Sequence, residues 1–70
     1  MERISVRSSN IRSVGYDAGS LTLEIEFTSG SVYQYLNVPE SEYEDLMNAS
    51  SKGRHLNQNI KGQYQDRRIM

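Results

Sequence analysis

The amino-acid sequence predicts an α+β fold, a three-stranded antiparallel β-meander followed by two helices packed on one face of the sheet. Two observations carry this. From Ile11 to Leu36, apolar and polar residues alternate in three runs broken by turn-forming residues. At Pro39 the alternation stops and apolar residues recur at helical spacing, as in Tyr43, Leu46 and Met47.

Ile11-Arg12-Ser13-Val14-Gly15-Tyr16-Asp17 reads as the first strand, with Gly15 marking a bulge or a close packing point. Asp17-Ala18-Gly19-Ser20 is a turn signal. Leu21, Leu23, Ile25 and Phe27 then alternate with Thr22, Glu24 and Glu26, a strand with one buried and one wet face. Thr28-Ser29-Gly30-Ser31 closes a second hairpin, and Val32 to Leu36 form the third strand. Proline suits the first turn of a helix, and Glu40, Glu42, Glu44 and Asp45 complement the positive end of its dipole. Asn48-Ala49-Ser50-Ser51 breaks this helix and supplies Ser50 or Ser51 as the next N-cap. Leu56 and Ile60 mark the buried stripe of the second helix, and Gly62 ends it. Residues 1–8 read as an N-terminal arm and residues 63–70 as a tail anchored by Tyr64.

Seventy residues make a single domain with a thin core, for which self-association into a homo-oligomer is a common remedy. The absence of cysteine excludes a disulfide framework and a thiolate metal site. The charged start Met1-Glu2-Arg3-Ile4-Ser5-Val6-Arg7 is no signal peptide, so a cytoplasmic protein is expected. A net charge of -1 by itself argues against a strongly nucleic-acid-binding protein. Its distribution is uneven: residues 1–48 set three arginines against eight acids, and residues 49–70 set five cations against Asp66 alone. That points either to an acidic part docking on a basic one or to an anion site in the last third.

Ser50-Ser51-Lys52-Gly53-Arg54-His55 is the best candidate for binding chemistry. Free backbone amides at a helix start, two hydroxyls and two cations could hold phosphate, and Gly53 permits close approach. The plainer reading is a capped helix with solvated charges and Gly53 letting two helices pack. The Gly-x-x-x-x-Gly-Lys spacing of a P-loop is absent. Tyr33 and Tyr35 share a strand face, where they either stack bases or pack under the helices. Lys61, Arg67 and Arg68 add phosphate-neutralising charge, and Tyr64 a further stacking ring. His55 is the only histidine and has no partner at metal-ligand spacing, so it reads as a surface or capping residue. Glu24 and Glu26 read as solvating groups on the wet face, with no activated nucleophile beside them. No cofactor, metal site or catalytic residue is expected.

The runs Ser9-Asn10-Ile11, Val14-Gly15-Tyr16-Asp17 and Leu21 to Phe27, the Tyr33-Gln34-Tyr35 centre, Val38-Pro39, Tyr43, Leu46, Ser51-Lys52-Gly53-Arg54, Asn57, Ile60 and Tyr64 come in a specific order. Together they resemble the KTSC domain, found at the C-terminus of some lysyl-tRNA synthetases and as a free-standing protein of bacteria and their phages. The resemblance covers roughly Val6 to Ile69. It implies RNA binding, through the synthetase association, and carries over no catalytic residues. The expected function is therefore non-enzymatic binding of a phosphate-bearing ligand, with RNA as the family-suggested candidate. Ser51, Lys52, Gly53, Arg54, Lys61, Arg67 and Arg68 would contact phosphates, and Tyr33, Tyr35 and Tyr64 would stack. Two alternatives stay open: a homo-oligomer sequestering a small nucleotide, and a protein-interaction module using the acidic helix over 39–48.

Overall fold

The computed structural model describes residues 1–70. The expected meander is the centre of a larger sheet. Its strands are β1 (Arg3–Ser5), β2 (Ile11–Asp17), β3 (Thr22–Phe27), β4 (Val32–Tyr35) and β5 (Asp66–Arg68), adjacent in that order and all antiparallel. The arm and the tail are thus edge strands, which corrects the three-strand expectation. Each is three residues long and exposed throughout, so neither carries the apolar alternation that betrays a strand in sequence. Their charged residues suit an edge, where they discourage pairing with another chain.

The middle of the sheet follows its pattern closely. β2 spans the expected residues, and its irregular point falls between Ile11 and Ser13, not at Gly15. At the first turn the Gly19 amide donates to Asp17 Oδ1 at 3.1 Å. Leu21 does not join β3: it has φ 55° and is exposed, while its carbonyl accepts from the Val38 amide at 2.8 Å. The second turn uses Gly30 at φ 98°, a conformation open to glycine.

One sheet face is covered by helix α1 (Glu40–Asn48) and by a second helical segment, an α-turn α2 (Lys52–His55) running into a π-helical turn (Leu56–Ile60). The π-turn is closed by the Lys61 amide donating to the Leu56 carbonyl at 2.7 Å. Gly62, at φ 84°, follows the end of the helix as expected. Nine buried residues form one core cluster: Ile11, Val14, Leu23, Ile25, Tyr35, Val38, Leu46, Leu56 and Ile60. Tyr16 and Tyr43 stack with centroids 4.8 Å apart and planes 9° apart. The Tyr16 hydroxyl also donates to the Val38 carbonyl at 2.6 Å, which pins the start of α1 to β2.

The other face is polar but not solvated as expected. Glu24 is only 9% exposed, and Ser13 and Thr22 are also buried. Glu24 accepts from Arg3 Nη1 at 3.1 Å and from Gln34 Nε2 at 2.9 Å. Glu26 accepts from Ser13 Oγ at 2.7 Å, with Arg12 Nη1 3.8 Å away. Arg3 of the β1 edge and Arg12, Ser13 and Gln34 of the central strands give these carboxylates partners across the sheet. No helix is long and apolar enough to cross a membrane.

Candidate functional site

The connection from β1 to β2 and the start of α2 face each other across a cleft of about 500 Å³. One wall is Arg7-Ser8-Ser9-Asn10, a polar run shaped by Ser8, whose hydroxyl accepts from the Asn10 and Ile11 amides at 3.3 Å each. The other wall is Ser50 to Arg54 with Asn57 and Gln58. Ser51 caps α2, its hydroxyl accepting from the Arg54 amide at 3.3 Å. Gly53 decides how closely the walls meet: a Cβ there would lie 3.3 Å from Asn10 Nδ2. Its contact is therefore with the β1–β2 connection and not with the other helix, the packing role open from sequence.

The electrostatics of the cleft are one-sided. Its lining includes Arg7, Lys52 and Arg54 and no carboxylate or apolar side chain. The three ion pairs of the chain engage Arg3, Arg12 and His55. Arg7, Lys52 and Arg54 thus keep their charge uncompensated, and Lys52 Nζ reaches only the Ala49 carbonyl, at 3.4 Å. Serine hydroxyls and asparagine and glutamine amides complete a surface rich in hydrogen-bond donors.

The other residues singled out in the sequence divide among different places. Lys61 lies beyond Asn57 in an adjoining cleft with Asn10, Phe27 and Ser29. Arg67 donates from Nε and Nη2 to Gln34 Oε1 at 3.0 and 2.8 Å, on the polar sheet face. Arg68 donates to the Met70 carbonyl at 3.0 Å. Neither arginine lines a cleft, so both stand apart from Lys52 and Arg54. Tyr35 is only 2% exposed and belongs to the core, which removes it as a stacking platform. Tyr33 is half-buried and meets Phe27 edge to face, centroids 5.8 Å apart. Tyr64 is spent on structure: its hydroxyl lies 3.4 Å from Glu42 Oε1.

His55 is neither a free surface group nor a cap. Its Nε2 lies 2.8 Å from Glu42 Oε2, joining α2 to α1. Glu42 thereby leaves the exposed acidic face expected of α1. No group of three metal-ligating side chains comes together anywhere in the chain.

Sequence reasoning found the α2 wall of the cleft and missed the wall formed by Arg7 to Asn10. A short polar run before a strand is an ordinary loop signal, and only folding brings it against α2.

Residues 7–64 match the KTSC domain. An uncharacterized protein of Stutzerimonas stutzeri (strain A1501) is 45% identical over 64 residues, covering 91% of this chain and 90% of that one. A lysine–tRNA ligase of Nostoc punctiforme is 54% identical over 54 residues, which are 77% of this chain and 10% of the ligase. The crystal structure of a KTSC domain protein from Yersinia pestis superposes with a TM-score of 0.96 at 45% identity, covering 99% of this chain and 97% of that one.

Proposed function

The chain belongs to the KTSC domain family, and from that footing we propose that its polar cleft is a non-enzymatic binding site for a phosphate-bearing ligand, with RNA as the candidate. One observation carries this reading: Arg7, Lys52 and Arg54 converge on a cleft without a carboxylate, and none of them has an ion-pair partner. Like charges brought together cost free energy, and an anion lying among them recovers it. Guanidinium groups suit phosphate in particular, because they donate in a planar fork. Kinship with a segment of a lysine–tRNA ligase favours RNA as the bearer of the phosphates. A lining without apolar side chains suits the backbone of such a ligand better than a base.

The test is binding of inorganic triphosphate and of a short single-stranded RNA, measured against salt. Three single-strand phosphate contacts predict that log affinity falls against log salt with a slope of roughly −2. Lys52→Ala with Arg54→Ala should weaken both probes and flatten that slope. Affinity indifferent to salt and to the double substitution would remove the proposal.

A further inference from the structure

The cationic cleft is flanked by further clefts that run toward the sheet edge. It shares Asn10 and Asn57 with the adjoining cleft that holds Lys61. That cleft in turn shares Phe27, Ser29 and Lys61 with a third, into which Tyr33 and Asp66 also project. The three compartments, about 500, 340 and 340 Å³, adjoin one another through these shared residues. Each is within the ~300–1,000 Å³ range of sites that hold a small molecule.

Their chemistry changes in order from one to the next. The first compartment is cationic and without apolar lining. The middle one has Lys61 as its only charge, and Lys61 enters none of the chain's ion pairs. The last sets Tyr33 beside the shared Phe27, making an aromatic wall, and the carboxylate of Asp66 beside the shared Lys61. Asp66 stands opposite Tyr35 in the β4–β5 ladder, beside that wall, and likewise enters no ion pair. A carboxylate at this end repels phosphate, while an aromatic wall accepts a flat, uncharged ring.

On this basis, which rests on the phosphate reading above, we infer that this row of clefts takes single-stranded RNA with a guanine base at the Phe27–Tyr33–Asp66 end. An ionised carboxylate offers acceptors only. Among the bases, guanine alone presents two adjacent donors on its Watson–Crick edge, N1–H and N2–H. Adenine and cytosine set a donor beside an acceptor, and uracil sets one donor between two acceptors. Asp66 therefore selects guanine, Tyr33 stacks on it, Lys61 neutralises the connecting phosphate, and the first compartment holds the following ones.

Fluorescence anisotropy with short oligouridylates bearing a single guanosine, inosine, adenosine or cytidine tests this. The guanosine probe should bind about tenfold more tightly than the adenosine and cytidine probes, the scale of one bidentate base contact. The inosine probe, lacking the N2 amine, should fall between. Asp66→Asn, at an exposed edge position, should abolish the guanosine preference, and Lys61→Ala should weaken every probe. Equal binding of all probes, still sensitive to Lys52→Ala and Arg54→Ala, would overturn the guanine site and leave the phosphate cleft standing. Binding of inorganic triphosphate with no binding of any RNA would also overturn it and confine the site to small phosphates. Failure of both ligands would remove the cleft reading and this inference together.

Discussion

Arg3 Nη1 lies 3.1 Å from Glu24 Oε2, although an entire strand separates β1 from β3. The reach is possible because Gly15 pairs with Arg3 on one side and Glu24 on the other and has no side chain to intervene. A Cβ at Gly15 would stand 2.8 Å from the Glu2 carbonyl and 2.9 Å from Arg3 Cγ. The row continues through Gln34 to Arg67, so one polar chain of contacts crosses all five strands.

Gly15→Ala should therefore loosen β1, because the clash is with backbone as well as with a side chain. Overpacking of this kind costs about 1–3 kcal/mol, readable as a fall in the urea midpoint at unchanged slope. In the Gly15→Ala background, Arg3→Ala should cost less than it does alone, since the first change already breaks the Arg3–Glu24 contact. Fully additive effects would mean that the two residues act separately.

Glu42 joins three segments through His55 at 2.8 Å and Tyr64 at 3.4 Å. Glu42→Ala should destabilise the fold by about 1–3 kcal/mol, the scale for losing a hydrogen bond to a charged group. His55→Ala should cost less, because Tyr64 still holds the carboxylate, and His55→Gln should recover part of the loss. Thermal unfolding of the three variants would show this order, and equal melting temperatures would contradict it.

Three tyrosines should make stability fall at high pH. Burial, then the neighbouring Asp66 carboxylate and Tyr33, push Tyr35 up to about 12. Burial and the charges of Glu40 and Asp17 raise Tyr16, and burial, the charge of Glu42 and its hydrogen bond raise Tyr64. Each phenol holds its proton more tightly in the folded chain than in the unfolded one, where the value is about 10. Their contribution is complete below that value and is lost as pH rises above it, in the case of Tyr35 toward about 12. Denaturant midpoints measured across this window should fall, and Tyr35→Phe should make the fall shallower. A midpoint flat across the window would refute the assignment.

Arg67 and Arg68 are basic in sequence yet lie apart from the cleft, and Arg67 is occupied by Gln34. Charge reversal of Arg68 should change the affinity for inorganic triphosphate far less than charge reversal of Arg54. Titration calorimetry of the two variants would separate them, and equal losses would place the tail in the site.

Much of this architecture was legible in the sequence because local physics dictates it. The alternation from Ile11 to Phe27, the glycine turn at Gly30, the Ser51 cap and the Leu56–Ile60 stripe each depend on residues close in the chain. The two edge strands, the engagement of Glu24 and the contact of His55 with Glu42 depend on residues 10 to 21 positions apart, or on strands too short and too charged to show periodicity. The same holds for the site. Its cationic helical wall reads directly from Ser51-Lys52-Gly53-Arg54, whereas the second wall, Arg7 to Asn10, is brought opposite it only when Gly53 lets α2 close on Asn10. Composition and periodicity determined which residues carry charge and most of the apolar core, but not the burial of Glu24 or the exposure of Leu21. Tertiary structure alone decided which charges remain unpaired, because pairing is set by distances that no local pattern encodes.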